Sequence, residues 1–178
     1  MKLRSTGMLR RIDELGRIVV PKEIRDNLKI SNGESLEIFV HNNRIILKKH
    51  SVLDAISDIA QNFLDSIKEL TNVAVIITDR SKVIATTEEF QKEYLGQEIS
   101  NVLSDSILEQ NVNKINDNYN KINIINNVEL KGNFFVKPII FNNDYTGFII
   151  ILNQKEKITD ADKTIADFIS DFLSKQIG

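Results

Sequence analysis

Hydrophobic and charged residues alternate over much of the first twenty residues, as they do in a half-buried strand. Residues 6–30 read TGMLRRIDELGRIVVPKEIRDNLKI. The alternation predicts strands at residues 8–12 and 17–20, joined by a turn at residues 13–16. Pro21 then suits the first turn of a short helix over residues 22–28. Because successive strand residues point to opposite faces, we expect one basic face and one apolar face.

Two further strands are predicted before residue 50. Asn32-Gly33 and Asn42-Asn43 are turn signals, and they bracket apolar and polar residues that predict strands at 35–40 and 44–48. Fifty residues in short strands bury little apolar surface. The unit formed by residues 1–50 is therefore expected to need a partner chain.

After His50 the apolar spacing changes from two to alternating steps of three and four. The positions are Leu53, Ile56, Ala60, Phe63, Ile67 and Leu70. This spacing is typical of the seam of paired helices, and it predicts a linking and dimerising helix over residues 51–71. The alternative is an amphipathic helix whose apolar face packs inside its own domain.

Residues 72–178 show a mixture of strand and helix patterns that predicts one α/β domain. Strands are expected at 73–78, 83–86, 134–141 and 145–152, with a strand end near Ile122 and Ile124. Helices are expected at 88–94, after a cap at Ser104 or Asp105, and after a cap at Thr159, the last with Ile165, Phe168, Ile169 and Phe172 facing inward.

Composition is that of a soluble globular protein, with 42% hydrophobic and 27% charged residues. No stretch approaches the ~20 consecutive apolar residues of a transmembrane helix, so we expect no membrane partner. The sequence has no cysteine, which excludes disulfides and thiolate metal sites. We expect a cytoplasmic protein.

Charge separates the two parts of the chain. Residues 1–50 hold 11 Lys and Arg against 6 Asp and Glu, a net +5, and the remaining 12 basic and 19 acidic residues give −7. A basic N-terminal part, residues 1–50, followed by an acidic remainder fits double-stranded DNA binding that is confined to the N-terminal part. The alternative is a solvated charged surface. The candidate DNA-binding residues are Arg10, Arg11, Arg17, Lys22 and Arg25.

The order TGMLRRIDELGRIVVPKEIRDNLKI, NGESLEIFV and RIILKK resembles the AbrB family of transition-state transcription regulators. The resemblance implies a homodimeric β-barrel of swapped hairpins and places DNA-contacting arginines at Arg10, Arg17 and Arg25. The family's second arginine after Arg25 is Asp26 here. A related swapped-hairpin family serves as antitoxins, which gives an alternative function: a protein-interaction module that regulates its own operator.

The second part is similar to a GAF domain, a small-molecule sensor fold, mainly through the hairpin KPIIFNNDYTGFIIIL. An AbrB-like head joined to a GAF-like body resembles the layout of a sporulation regulator that activates and represses genes. That layout implies an α+β protein, a homotetramer and association with the nucleoid. The resemblance allows a small-molecule ligand in the GAF-like domain without identifying it.

No group of residues points to catalysis. The two histidines, His41 and His50, lie at a strand end and in the linker, and each is more simply a surface residue than a ligand. Phosphate-binding glycine motifs are absent from the sequence. We therefore expect a protein that is not an enzyme, with no metal and no resident cofactor.

Overall fold

The computed structural model describes residues 6–30, 32–116 and 121–177. The chain divides into two compact units, Met1–His50 and Ser51–Gly178. Both units contain helices and strands, and the strand pairs among the described residues are antiparallel. The fold class is therefore α+β.

Within its described residues, 6–30 and 32–50, the N-terminal unit contains one short helix and one hairpin. Its elements are α1 (Lys22–Asn27), β1 (Leu36–His41) and β2 (Arg44–Lys49). The hairpin runs in register from Leu36 opposite Lys49 to His41 opposite Arg44. Asn42 and Asn43 both have positive φ, 46° and 59°, as the tightest hairpin turns require. The predicted turn and its two flanking strands are confirmed.

Helix α1 ends in a tight turn that leads toward the hairpin. Lys29 adopts a φ of 51°, and the Ile30 amide donates to the Arg25 carbonyl at 2.8 Å. This is a Schellman-type ending with lysine where glycine is usual. The Lys49 ammonium donates to the Lys29 carbonyl at 3.2 Å, which ties the end of α1 to β2.

The predicted strands at residues 8–12 and 17–20 have no ladder partner in the described chain, so this prediction was wrong for the single chain. The Asp13 amide does donate to the Arg17 carbonyl at 3.0 Å. Side-chain alternation reports which faces are apolar, but a strand also needs a neighbouring strand for its backbone groups. The sequence pattern contains no information on where that neighbour comes from.

The C-terminal unit is built on one four-stranded sheet. Its α-helices are α2 (Ser57–Ile67), α3 (Glu88–Tyr94), α4 (Asn101–Leu108), α5 (Asn113–Asn116) and α6 (Asp160–Gln176), and short 3₁₀ helices at Asp54–Ile56 and Lys68–Leu70 flank α2. Its strands are β3 (Ala74–Thr78), β4 (Val83–Thr86), β5 (Lys121–Ile122), β6 (Leu130–Lys131), β7 (Asn133–Phe141) and β8 (Asp144–Asn153). The sheet has the order β4-β3-β8-β7, and β5 and β6 form a small separate pair.

Both faces of the four-stranded sheet are covered. Alternate residues of β8 enter opposite apolar clusters: Phe148 and Ile150 lie on the side of α3 and α4, whereas Ile149 and Ile151 lie on the side of α2 and α6. A strand that is buried on both faces reads as a continuous apolar run. This burial explains the sequence FIIIL in β8.

Of the two predicted helix caps, one is confirmed and the other is wrong. Thr159 caps α6, as predicted, and the structure shows that it does so in a reciprocal pair with Asp162. Helix α4 is capped by Ser100, whose hydroxyl accepts from the Leu103 amide at 3.3 Å, so the predicted cap at Ser104 or Asp105 was wrong. Ser100 also donates to the Asn123 carbonyl at 2.6 Å. This second, tertiary bond was not visible in the local sequence.

The inward face of α6 was predicted only in part. Ile169 is fully buried, but the Phe168 side chain is 60% exposed, so its predicted inward position was wrong in the single chain. The predicted strand end near Ile122 is present as β5, and residues 117–120 just before it lie outside the described residues. Across the described part of the chain, no helix is long and apolar enough to cross a membrane.

Candidate nucleic-acid interface

The sequence-predicted basic residues all lie in the N-terminal unit. Arg10, Arg11, Arg17 and Lys22 are exposed, and Arg25 is half-buried on α1. Arg10 donates from a terminal guanidinium nitrogen to the Leu9 carbonyl at 2.8 Å. The structure shows these side chains accessible for phosphate contact, while their roles in binding DNA stay predictions.

Arg17 lies in a closed loop organised by Asp13. The Asp13 Oδ1 accepts from the amides of Leu15 at 3.0 Å and Arg17 at 2.8 Å. Its Oδ2 accepts from Arg17 Nε at 2.7 Å. The Gly16 amide donates to the Asp13 carbonyl at 3.0 Å, with a Gly16 φ of 77° that glycine adopts readily.

The same bonds shift the acidity of the Asp13 carboxyl. The Arg17 amide, then the Arg17 guanidinium, stabilise the carboxylate and lower its pKa below the ordinary value. The sequence pattern predicts only a turn at residue 13 and does not predict this pairing. An aspartate at the start of a turn, four residues before an arginine, was the available signal.

Helix α1 carries the next two basic residues. Pro21 is buried and precedes the helix, and its carbonyl accepts from the Arg25 amide at 3.0 Å. Proline fixes its own φ near the helical value, so it sets the start of α1. Lys22 occupies the first helical position and Arg25 lies one turn later. Asp26, the acidic residue that follows Arg25, is exposed.

Large apolar side chains of the N-terminal unit lie open to solvent. Among the most exposed are Leu9 at 90%, Val40 at 79% and Val19 at 73%. Others are Ile12, Leu15, Ile18, Leu28, Ile38 and Ile45. Single exposed apolar residues are ordinary, but many large ones exposed in one small unit favour an interaction surface.

The predicted seam residues of the linking helix divide into two groups. Leu53, Ile56 and Ala60 are buried inside the C-terminal unit, together with Leu64, so their burial needs no second chain. Phe63 and Ile67 are only partly buried. The side chain of Leu70 is not among those that the structure describes.

Phe63 belongs to an aromatic patch formed by Phe63, Phe168 and Phe172. The Phe63 ring is stacked on that of Phe172 with centroids 4.6 Å apart, and its centroid lies 5.8 Å from that of Phe168. The patch joins α2 to α6 at the surface of the C-terminal unit. A role for Phe63 in pairing two chains stays a prediction.

Other ligand signals are few. The described residues contain no group of three or more side chains suited to hold a metal ion. An open groove of about 920 Å³ lies between the end of α2 and the start of α3. The Tyr94 hydroxyl is buried with no hydrogen-bond partner in the described structure, and burial raises the pKa of Tyr94 to about 12.

Comparison with known proteins gives matches over both units. The family described as "Stage V sporulation protein T C-terminal, transcription factor" matches residues 55–178. The family described as "Antidote-toxin recognition MazE, bacterial antitoxin" matches residues 9–52. Stage V sporulation protein T of Bacillus subtilis is 32% identical over 177 residues, which cover 98% of this chain and 99% of that protein.

Two further relatives match only the N-terminal unit. The transition state regulatory protein AbrB of Bacillus subtilis is 50% identical over 50 residues, 28% of this chain and 52% of AbrB. A solution structure of the N-domain of the transcription factor AbrB is 48% identical, covers 28% of this chain and 96% of that domain, and has a TM-score of 0.27.

Proposed function

This chain belongs to the stage V sporulation protein T family and is a DNA-binding regulator of sporulation transcription, and we propose that it acts on sporulation genes as activator and repressor. The observation that supports the DNA role most directly is the exposed basic set of the N-terminal unit, with Arg17 held in its own loop. Double-stranded DNA, with its dense negative charge, is the matching partner. Such a regulator acts in the cytoplasm at the nucleoid and is not an enzyme.

The N-terminal unit is proposed to work as a homodimer of interlocked hairpins. Its exposed apolar residues would form a core with those of a second copy, and the unpaired segments at residues 8–12 and 17–20 would gain strand neighbours there. Dimerisation also doubles each basic residue at the DNA. Two contact sets joined in one particle bind more tightly than one.

The aromatic patch on α2 and α6 is proposed as a second pairing surface, which would join two dimers into a tetramer. Phe168 is 60% exposed in the single chain. Its ring contacts that of Phe63, which is in turn stacked on Phe172. Exposed aromatic rings that are held rigidly are frequent anchors of protein interfaces.

The C-terminal unit is proposed to be GAF-like and to accept a small-molecule ligand of unknown identity, with no resident metal or cofactor. A four-stranded antiparallel sheet covered on both faces supports the fold assignment. The unpartnered hydroxyl of Tyr94, on the α3 side of the sheet, supports the ligand. A buried donor without an acceptor costs about 1–3 kcal/mol, which a ligand's acceptor would recover.

The antitoxin-like alternative has one specific observation in its favour, the match of residues 9–52 to the MazE antitoxin family. In that case the chain would neutralise a toxin and regulate its own operator. A long folded C-terminal unit of 128 residues, from Ser51 to Gly178, is more than such a module needs. Co-purification with a small ribonuclease toxin would favour this alternative.

The DNA role is tested by the salt dependence of DNA affinity in wild type and Arg17→Ala. Each lost phosphate contact should reduce the slope of log affinity against log salt by about 0.9. Arg17→Ala should therefore bind more weakly and with a shallower slope. Lys155→Ala, which removes an exposed charge of the C-terminal unit, is the control. Equal affinity and slope in wild type and a folded Arg17→Ala would contradict the assignment.

A further inference from the structure

We propose that Asp13 is a positioning residue for DNA binding, and that it acts by holding the Arg17 loop and guanidinium in the orientation that meets the duplex. This inference rests on the DNA role proposed for Arg17. It assigns a function to an acidic side chain among the basic residues proposed to bind DNA, where its negative charge alone would predict weaker DNA binding.

The two oxygens of the Asp13 carboxylate accept hydrogen bonds from different groups. Oδ1 accepts the amides of Leu15 and Arg17, at 3.0 and 2.8 Å, and so fixes the backbone of the loop. Oδ2 accepts from Arg17 Nε at 2.7 Å and so fixes the direction of the side chain. A single residue thereby sets both the position at which Arg17 leaves the backbone and the direction in which it points.

The bond to Nε leaves the other end of the guanidinium for DNA. A guanidinium carries five N–H donors, four of them on the two terminal nitrogens. The Arg17 side chain is 73% exposed, so these donors remain accessible for a paired contact to a phosphate or a base edge. A side chain that is already ordered loses less conformational entropy when it binds.

The contact has little to do with holding the fold together. The Asp13–Arg17 ion pair is exposed, and pairs of this kind contribute little to stability because water screens them. The expected consequence of losing it is therefore weaker DNA binding by a folded protein. A purely electrostatic role gives the opposite sign, since removing a negative charge near a polyanion should strengthen binding.

Asp13→Asn in the full-length protein separates these possibilities. Asparagine can still accept the loop amides, but its amide group cannot replace the charged oxygen facing Arg17 Nε. We expect Asp13→Asn to weaken DNA binding about tenfold, and Asp13→Ala to weaken it further because it loses the loop bonds too. Glu14→Gln removes the same charge one residue along and serves as the matched control, with unchanged or slightly tighter binding.

The decisive measurement is a double-mutant cycle with Arg17→Ala, in which DNA affinity is determined for all four proteins. If Asp13 acts through Arg17, Asp13→Asn causes no further loss once Arg17 is alanine. Equal losses in both backgrounds, or tighter binding by Asp13→Asn, would overturn the proposal.

The same cycle separates this inference from the proposed function. If Arg17→Ala weakens binding and Asp13→Asn does not, the positioning role alone fails. If Arg17→Ala binds like wild type, the DNA role of Arg17 fails and the positioning role fails with it.

Discussion

The two units of the chain bury their apolar residues to very different extents. The C-terminal unit encloses two apolar clusters, one on each face of its sheet, with Phe148 and Ile149 fully buried. The N-terminal unit leaves Leu9, Val19 and Val40 mostly exposed. The C-terminal unit therefore buries its core within a single chain. The N-terminal unit has the apolar residues of a core but leaves them exposed.

This difference teaches that the two units should respond differently to dilution and to mutation. Burial within one chain gives stability that does not depend on protein concentration, whereas burial between chains does. Substitutions in the C-terminal core should therefore lower intrinsic stability. Substitutions at exposed apolar positions of the N-terminal unit should lower assembly and, through it, DNA affinity.

The largest effect is expected at the centre of the C-terminal sheet. Phe148→Ala removes a fully buried ring and should destabilise this unit by about 3–5 kcal/mol. Thermal unfolding should show the C-terminal transition moving to lower temperature at every protein concentration. Val102→Ala, at a 52% exposed position of the same unit, is the control. If the destabilisation by Phe148→Ala vanished at high protein concentration, the claim that the C-terminal unit is stable as a single chain would be contradicted.

A smaller effect is expected at the aromatic patch. Phe168→Ala should leave the unfolding of the C-terminal unit nearly unchanged, because Phe168 is mostly exposed in the single chain. It should weaken association of chains by about 1–2 kcal/mol if the patch pairs with a second copy. Sedimentation of the mutant and wild type at several concentrations measures this. Identical assembly would show that the patch remains solvent-exposed in solution.

Tyr94→Phe should stabilise the C-terminal unit by about 1 kcal/mol, because it removes a buried hydroxyl that has no partner in the described structure. Chemical denaturation of both proteins measures the difference. A loss of stability would instead indicate that the hydroxyl donates to a bound molecule. That result would sharpen the comparison, since it would show that the C-terminal unit also depends on a partner.

The smallest effect concerns the pH response of the Arg17 loop. The pKa of Asp13 is lowered in the folded protein, so the carboxylate bonds persist at and above the ordinary aspartate value of about 3.9. They are lost as pH falls through the lowered pKa. In Arg17→Ala, the Asp13 pKa should rise part of the way back, because the backbone bond remains. Carboxyl titration by NMR checks this, and equal midpoints in both proteins would contradict the pairing.

Much of the fold was predictable because local patterns determined it. The Asn42-Asn43 turn, the cap at Thr159 and the strands of the C-terminal sheet follow from residue type and periodicity. The misses have a common cause. Ser100 caps α4 while bonded to Asn123, and that choice depends on a distant part of the chain. Similarly, strand pairing for residues 8–12 needs a neighbour that no local pattern specifies.

The sequence names the basic residues of the candidate site, whose DNA role stays a prediction, but it does not give their geometry. Composition and a resemblance pointed to Arg10, Arg17 and Arg25. The carboxylate that orients Arg17 was overlooked because an acidic residue in a basic stretch reads as part of a turn. The seam of the linking helix shows a similar limit, since spacing could not tell that Leu53, Ile56 and Ala60 would pack into their own unit.

The most direct test of the account is the assembly state of full-length Val19→Asp. Val19 is 73% exposed in the single chain, so a charge there should leave assembly unchanged unless a second copy covers it. We expect Val19→Asp to reduce or abolish dimerisation of the N-terminal unit in sedimentation and to lose DNA affinity, with the C-terminal transition unchanged. Val102→Asp, at an exposed position of α4, should do neither. A Val19→Asp protein with wild-type assembly and wild-type DNA binding would contradict the claim that a second copy completes the N-terminal unit.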